Sequence, residues 1–423
     1  MALEYLERAG AKAYGLYANR EAANYFQQAI DVLQHVPDDR ARLEQAVDLR
    51  FKLRNALIAL CELDRIERCL DELEPLLATL GDDLRSARHS AFRCNHHFLA
   101  GEHRRAIQSG EAGLDIARRC GDLTMQGELL YRVAQSYHAL GENDAAIELF
   151  RQALDFTAER WEGGRFELSV IPAVVNRTWL VAALVERGDF AEAMTLAKRS
   201  LEIAQAADHP LSEVLGWLGI GHTLRRKGEL HGAITALERG RMLCDRYSLP
   251  IWRVRLLTAL GVAYAYSGRV CEGAELAQQA LASADGMHLQ VDKPMLLVHL
   301  GEIALIAGRI HDALEYGRRA CDLADRDEAR TDGAWARLLS ARAAALLEPG
   351  DTDPAIEQLR EALRLAGSAS ARPLAALCGS ELARLHELRG EPELAREHRA
   401  RAEATYGALG MRAIVPEPLR AHT

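Results

Sequence analysis

From Gln126 to Leu154 the apolar residues Leu130, Val133, Ala134 and Tyr137 recur at three- and four-residue steps, which places them on one face of a helix. Gly141 ends that helix, and Ala146, Phe150 and Ala153 then share a face of a second one. The two alanines are small enough to let the helices approach closely. Neither helix can bury its stripe alone. The pair therefore needs neighbours, and the pattern predicts one unit of a stack that builds a binding surface rather than a catalytic core.

The rest of the chain repeats this plan. Turn glycines fall at Gly101, Gly141, Gly188, Gly228, Gly268, Gly308, Gly350 and Gly390, with steps of 40, 47, 40, 40, 40, 42 and 40 residues. Five positions after each comes Ala106, Ala146, Ala193, Ala233, Gly273, Ala313, Ala355 or Ala395. Twelve positions after comes Gly113, Ala153, Ser200, Gly240, Ala280, Ala320, Ala362 or Ala402. Two small-residue columns held through eight units fix a period of 40 residues. Two weaker units precede them. In the first, Ala18 stands at the turn and Ala22, Phe26 and Ala29 fit the columns. The second, residues 45–80, is degenerate: Cys61 takes the turn, and Ile66, Leu70 and Leu73 replace the small column, so its helices are expected further apart. A connector over residues 157–173, with Gly163, Gly164 and Pro172, accounts for the longer step. The expectation is an all-α solenoid of about ten helix pairs spanning residues 1–423, with a short tail at 411–423.

Composition agrees with this and narrows the function. Apolar residues make up 49% of the chain but aromatics only 6%, which suits alanine-rich helix packing and not a sheet sandwich. A net charge of −9 argues against general nucleic-acid binding. The pairs Arg104–Arg105 and Arg118–Arg119 have acids within a turn or two and read as solvated helix faces. Eight cysteines without a CxxC pair read as buried thiols in a reducing compartment. The N-terminus lacks the basic lead and apolar core of a signal peptide, and no segment approaches the roughly 20 apolar residues that span a bilayer. A cytoplasmic protein without a membrane partner is the expectation.

The columns resemble the tetratricopeptide repeat, seen in Trp217, Ile220, Gly221 and Leu224 with Ala233, and again in Leu257, Leu260, Gly261 and Tyr264. The family's usual unit is about 34 residues. The longer unit here is similar to the helical-repeat sensor regions of bacterial signal-transduction ATPases, including LuxR-type maltose-regulon activators and proteins that join a class III adenylate or guanylate cyclase to an ATPase. The opening EYLERAGAKAYGLYANREAANYFQQAI and closing AREHRARAEATYGALGM look like the two ends of such a region. No GxxxxGK[ST] is present, and too little follows Met411 for a DNA-binding helix-turn-helix. The resemblance implies a regulatory sensor without its output, whether a separate subunit, a truncated reading frame or an independent scaffold. An ATPase or cyclase on another chain is among its expected partners.

The remaining chemistry is sparse. His89, His96, His97 and His103, with Cys94 between, do not match metal-ligand spacings, so no metal or other cofactor is expected. Glu357–Arg360 and Glu361–Arg364 read as solvated ion pairs. No nucleophile–base constellation stands out, so the chain is not expected to be an enzyme. The tryptophans Trp161, Trp179, Trp217, Trp252 and Trp335 read as core fillers rather than ligand platforms, with Trp161, in the long connector, the first candidate for an exception.

Asn55, Asn95 and Gln135 stand 40 residues apart, and the column continues through Ala182, His222, Val262 and Glu302. It lies one residue, about 100°, beyond the core position of Arg54, Cys94, Ala134 and Gly221. The tetratricopeptide resemblance implies that this column faces a concave groove, where Asn bonds a ligand's backbone. Tyr131 and His138 share the face of Gln135, and Arg225 stands three after His222, adding stacking and a charge for an acidic partner. The sequence thus predicts a non-enzymatic scaffold holding a protein or peptide at Asn55, Asn95, Tyr131, Gln135, His138, His222 and Arg225. The alternative is a small-molecule sensor with a pocket between repeats, near residues 157–173.

Overall fold

The computed structural model describes residues 2–35, 39–161, 170–247 and 249–412, and all regular structure among them is helical. Ten antiparallel pairs follow one another: α1 (Ala2–Gly15) with α2 (Asn19–Leu33), α3 (Arg40–Leu60) with α4 (Leu63–Leu80), and α5 (Asp83–Leu99) with α6 (His103–Cys120). Next come α7 (Leu123–Ala139) with α8 (Asn143–Trp161), α9 (Pro172–Arg187) with α10 (Phe190–Ala206), and α11 (Pro210–Lys227) with α12 (Leu230–Tyr247). The last four pairs are α13 (Pro250–Tyr266) with α14 (Val270–Gly286), α15 (Lys293–Ile306) with α16 (Ile310–Arg326), α17 (Arg330–Leu347) with α18 (Asp353–Ser368), and α19 (Arg372–Leu388) with α20 (Pro392–Leu409).

Local chemistry sets the ends of these helices. Asp39, Asp82 and Asp122 cap α3, α5 and α7 by accepting the backbone N–H three residues on. Proline opens α9, α11 and α13, where its missing N–H costs nothing. The turn glycines adopt the left-handed conformation, as at Gly141 (φ 76°) and Gly188 (φ 93°). Gly350 does not, because α17 ends early and a longer turn precedes α18. Cys61 stands in for a turn glycine at φ 56°, at the place the sequence assigns it. Both small columns are buried throughout, Ala146 and Ala153 fully so. The degenerate second unit has the sparsest contact between its own two helices, since Ile66, Leu70 and Leu73 hold α3 and α4 apart.

The stack coils on itself within five units. Arg104 pairs with Glu328, Arg330 with Glu142 (3.0 Å), and Arg372 with Asp189 (2.6 Å). Asn143 donates to the Ala369 carbonyl at 2.7 Å, and the Gln290 N–H donates to the Leu99 carbonyl at 3.2 Å. The turn glycines sit in this seam: a Cβ on Gly141 would meet Arg330 and Thr331, and one on Gly228 would meet the carbonyl of Arg412. One superhelical turn therefore rests on the next and encloses a lumen, lined mainly by the first helix of each pair.

Several expectations change. Arg104 is not simply a solvated charge but bridges two superhelical turns. Cys120 and Cys271 are exposed, whereas five of the eight thiols are buried. His89 bonds the Leu70 carbonyl and His97 bonds Glu102, each separately. The pairs Glu357–Arg360 and Glu361–Arg364 lie on the surface as expected. Much of the 157–173 connector, Gly163 and Gly164 included, lies outside the described residues, as do the side chain of Trp161 and the tail from residue 413 on.

Candidate functional site

The lumen contains three adjoining cavities. A chamber of about 660 Å³ toward the N-terminal end is lined by Asn55, Asn95, Tyr131 and Gln135, together with Tyr14 and Tyr247. A central chamber of about 230 Å³ holds His138, His222 and Arg225. A small one of about 40 Å³ lies beyond it, between Arg225, Glu302 and Arg342. All seven residues selected from the sequence thus line the lumen, but they fall in two chambers rather than along one open groove. Of the rest of that column, Ala182 reaches the central chamber and Glu302 the last one, while Val262 is packed in the apolar core.

The amide ladder is set by a residue one position away from it. Arg54 is 2% exposed, with its guanidinium 4.1 Å above the Phe92 ring. Its Nη1 donates to Asn55 Oδ1 at 3.3 Å and its Nη2 donates to Asn95 Oδ1. An arginine only donates, so both amide oxygens must turn toward it, which fixes the flip of both side chains. What Asn55 and Asn95 present to the chamber is therefore their N–H groups. Gln135 supplies the complement, a buried Oε1 with no partner among the described residues. Burial, then repulsion from Arg132, lowers the Arg54 guanidinium to about 9, so it stays charged at neutral pH.

Arg255, Trp179, Trp252 and Phe98 line both larger chambers. The Arg255 guanidinium stacks 4.6 Å from the Trp179 ring and 5.1 Å from the Trp252 ring, and its Nε donates to Asp292 at 2.9 Å. These side chains form the partition between the chambers. Both tryptophans pack against the apolar core as expected, and in addition they line the chambers. They lie at different heights in their helices, so no spacing in the sequence marks them as a pair.

In the central chamber, burial and then the neighbouring Arg225 and Arg226 hold His222 and His299 well below the usual histidine range, so both are neutral. Burial also lowers His138, although its Nδ1 lies 2.7 Å from Asn143 Oδ1. Asp332, missed from the sequence, shares this chamber, and burial followed by repulsion from Glu186 and Asp292 pushes its carboxyl up to about 8. Arg226 pairs with Glu186 at 3.1 Å and lies 3.8 Å above the Trp335 ring. Arg342 on the rim of the last chamber and Arg384 each bond Glu381 at 2.9 Å. Among the described residues, no group of three His, Cys, Asp or Glu side chains is placed to hold a metal ion.

Lumen arginines were legible only as charges at first-helix positions. In an ordinary buried helix they would be rare, and their recurrence at Arg54, Arg132, Arg225, Arg226 and Arg342 was the available signal.

Residues 127–159 match the tetratricopeptide repeat. No curated protein matches the chain by sequence. Among solved structures, a Rap protein complexed with competence and sporulation factor is similar over 87% of this chain and 98% of its own, at 16% identity and a TM-score of 0.64. NprR in complex with its cognate peptide NprX is similar over 86% of this chain and 99% of its own, at 14% identity and a TM-score of 0.58. A signal-transduction ATPase with a tetratricopeptide repeat sensor from Pyrococcus horikoshii aligns with 91% of this chain over 53% of its own, at 14% identity and a TM-score of 0.44. What the Rap protein and NprR share with this chain is the fold, a stack of helix pairs of the tetratricopeptide kind.

Proposed function

We infer that the protein is a peptide- or protein-binding repeat scaffold whose ligand lies extended in the lumen. The observation that carries this reading is the amide ladder. The Asn55 and Asn95 N–H groups and the Gln135 acceptor, which bond no described residue, line a chamber that also offers the Tyr131 ring. An extended backbone alternates C=O and N–H groups and needs both kinds of partner. Two proteins of the same fold, a Rap protein and NprR, are complexed with competence and sporulation factor and with the peptide NprX, which favours a peptide here as well. In the regulatory form of this reading, occupancy of the lumen governs an ATPase or cyclase on another chain.

Screening immobilised protein against pooled synthetic peptides tests the reading directly. Replacing Asn55, Asn95 and Gln135 together with alanine is expected to weaken capture at least about tenfold, about 1.4 kcal/mol, with helicity intact. Equal capture by parent and triple variant would remove the ladder from the site. A second reading, a small-molecule sensor, is favoured by one observation: the central chamber, about 230 Å³ and lined by Trp179 and Trp252, is of small-molecule size. A saturable thermal shift with a metabolite, and no peptide capture, would support it instead.

A further inference from the structure

Arg225 on α11 is 6% exposed, and no hydrogen bond or ion pair joins its guanidinium to a described residue. The cations near it are already matched: Arg226 by Glu186 at 3.1 Å and Arg255 by Asp292 at 2.9 Å. Glu302, behind it in the last chamber, accepts the Tyr266 hydroxyl at 3.1 Å, and it and Glu186 attract the Arg225 guanidinium without bonding it. A buried guanidinium whose N–H groups bond no described side chain is costly to the fold, so its retention marks a place where a ligand supplies the bonded partner. The surroundings agree. His299 has both ring nitrogens buried and unbonded, and it and His222 are neutral, so each ring has one N–H to donate. Asp332 is largely protonated at neutral pH and does not cancel the arginine.

The geometry points to the central chamber as a site for one carboxylate, held by the Arg225 fork with His222 and His299 as further N–H donors. A phosphate monoester, with a charge of about −1.5 to −2, would exceed what one guanidinium already drawn on by Glu302 and Glu186 can balance. This assignment rests on the lumen being the binding site and names the chemistry at its inner end. Because Phe98, Trp179, Trp252 and Arg255 line both chambers, a peptide seated on the amide ladder would place its C-terminal carboxylate past this partition. A small organic acid carries the same group.

The test is equilibrium dialysis of the full chain against pooled random pentapeptides as free acids, the same pool as C-terminal amides, and phenylacetate. Free acids are expected to bind at least about tenfold more tightly than amides, and Arg225→Met is expected to abolish that preference. The substitution removes an unpaired buried charge, so a folded variant is expected. Arg225→Lys, which keeps the charge and loses the fork, serves if it does not fold and should retain a reduced preference. Phenylacetate bound by the parent but not by Arg225→Met, with neither pool bound, upholds the carboxylate site while the peptide reading falls. Free acids and amides bound equally by the parent overturn the carboxylate site and leave the peptide reading standing. A preference that survives Arg225→Met, or a parent that binds none of the probes, also overturns it.

Discussion

Arg54 on α3 reaches across to α5 and donates through Nη2 to the side-chain oxygen of Asn95, one unit along the stack. The same guanidinium holds Asn55, so one buried cation sets the polarity of two rungs of the ladder. Arg54→Met would free both amides to flip. Peptide affinity is expected to fall about five- to tenfold, near 1 kcal/mol, with the fold retained, since the lost bonds and Phe92 stacking are offset by removal of a buried charge and the freed amides face the lumen. Arg54→Lys should not restore binding, because a point charge cannot span two oxygens as the fork does. Unaltered affinity in Arg54→Met would mean that the amides are positioned by something else.

The seam between superhelical turns is open to a paired test. Gly141 and Gly268 both have positive φ, at 76° and 91°, but only Gly141 has neighbours where a Cβ would go, with Arg330 Cβ at 2.9 Å. Alanine at Gly268 should cost only backbone strain, about 1 kcal/mol. Alanine at Gly141 should cost about 1–2 kcal/mol more and loosen the coil, visible as a larger radius of gyration in X-ray scattering. Equal losses would show that the turns do not rest on each other.

Packing within a unit predicts a further loss. Ala146 is fully buried where α8 meets its neighbours, so Ala146→Leu is expected to lower stability by about 1–3 kcal/mol through overpacking. Chemical denaturation of parent and variant measures it, and an unchanged midpoint would contradict the register.

Asp332 gives the molecule a pH dependence of predictable sign. Its folded-state pKa of about 8 lies above the ordinary 3.8, so between those values the unfolded chain is ionised while the native state holds its proton. The contribution of this group to stability is therefore complete below about pH 4 and declines as pH rises toward 8. Asp332→Asn should be more stable than the parent at about pH 9, by about 1–2 kcal/mol once lumen water has screened part of the effect, and the gap should narrow at about pH 5. Melting curves of both proteins at the two pH values decide it; a gap that widens toward acid would refute the assignment.

The sequence by itself determined the repeat. A 40-residue period, two small columns and left-handed turn glycines are local or nearest-neighbour requirements, and each unit states them again, so the helix pairs and their order are written in the sequence. The lumen-facing column through Asn55, Asn95 and Gln135 was readable for the same reason, since one face of a repeated helix keeps one address. Only the tertiary structure decided how far the stack curls. Curl is a sum of small rotations between units, and no single residue encodes it. Its consequences stand five units apart in the chain: Glu328 against Arg104, Thr331 against Gly141, and Arg372 against Asp189. The two chambers, the partition of Trp179, Arg255 and Trp252, and the isolation of Arg225 all follow from that closure. A side chain's partner across a lumen depends on the accumulated rotation and not on its neighbours in sequence.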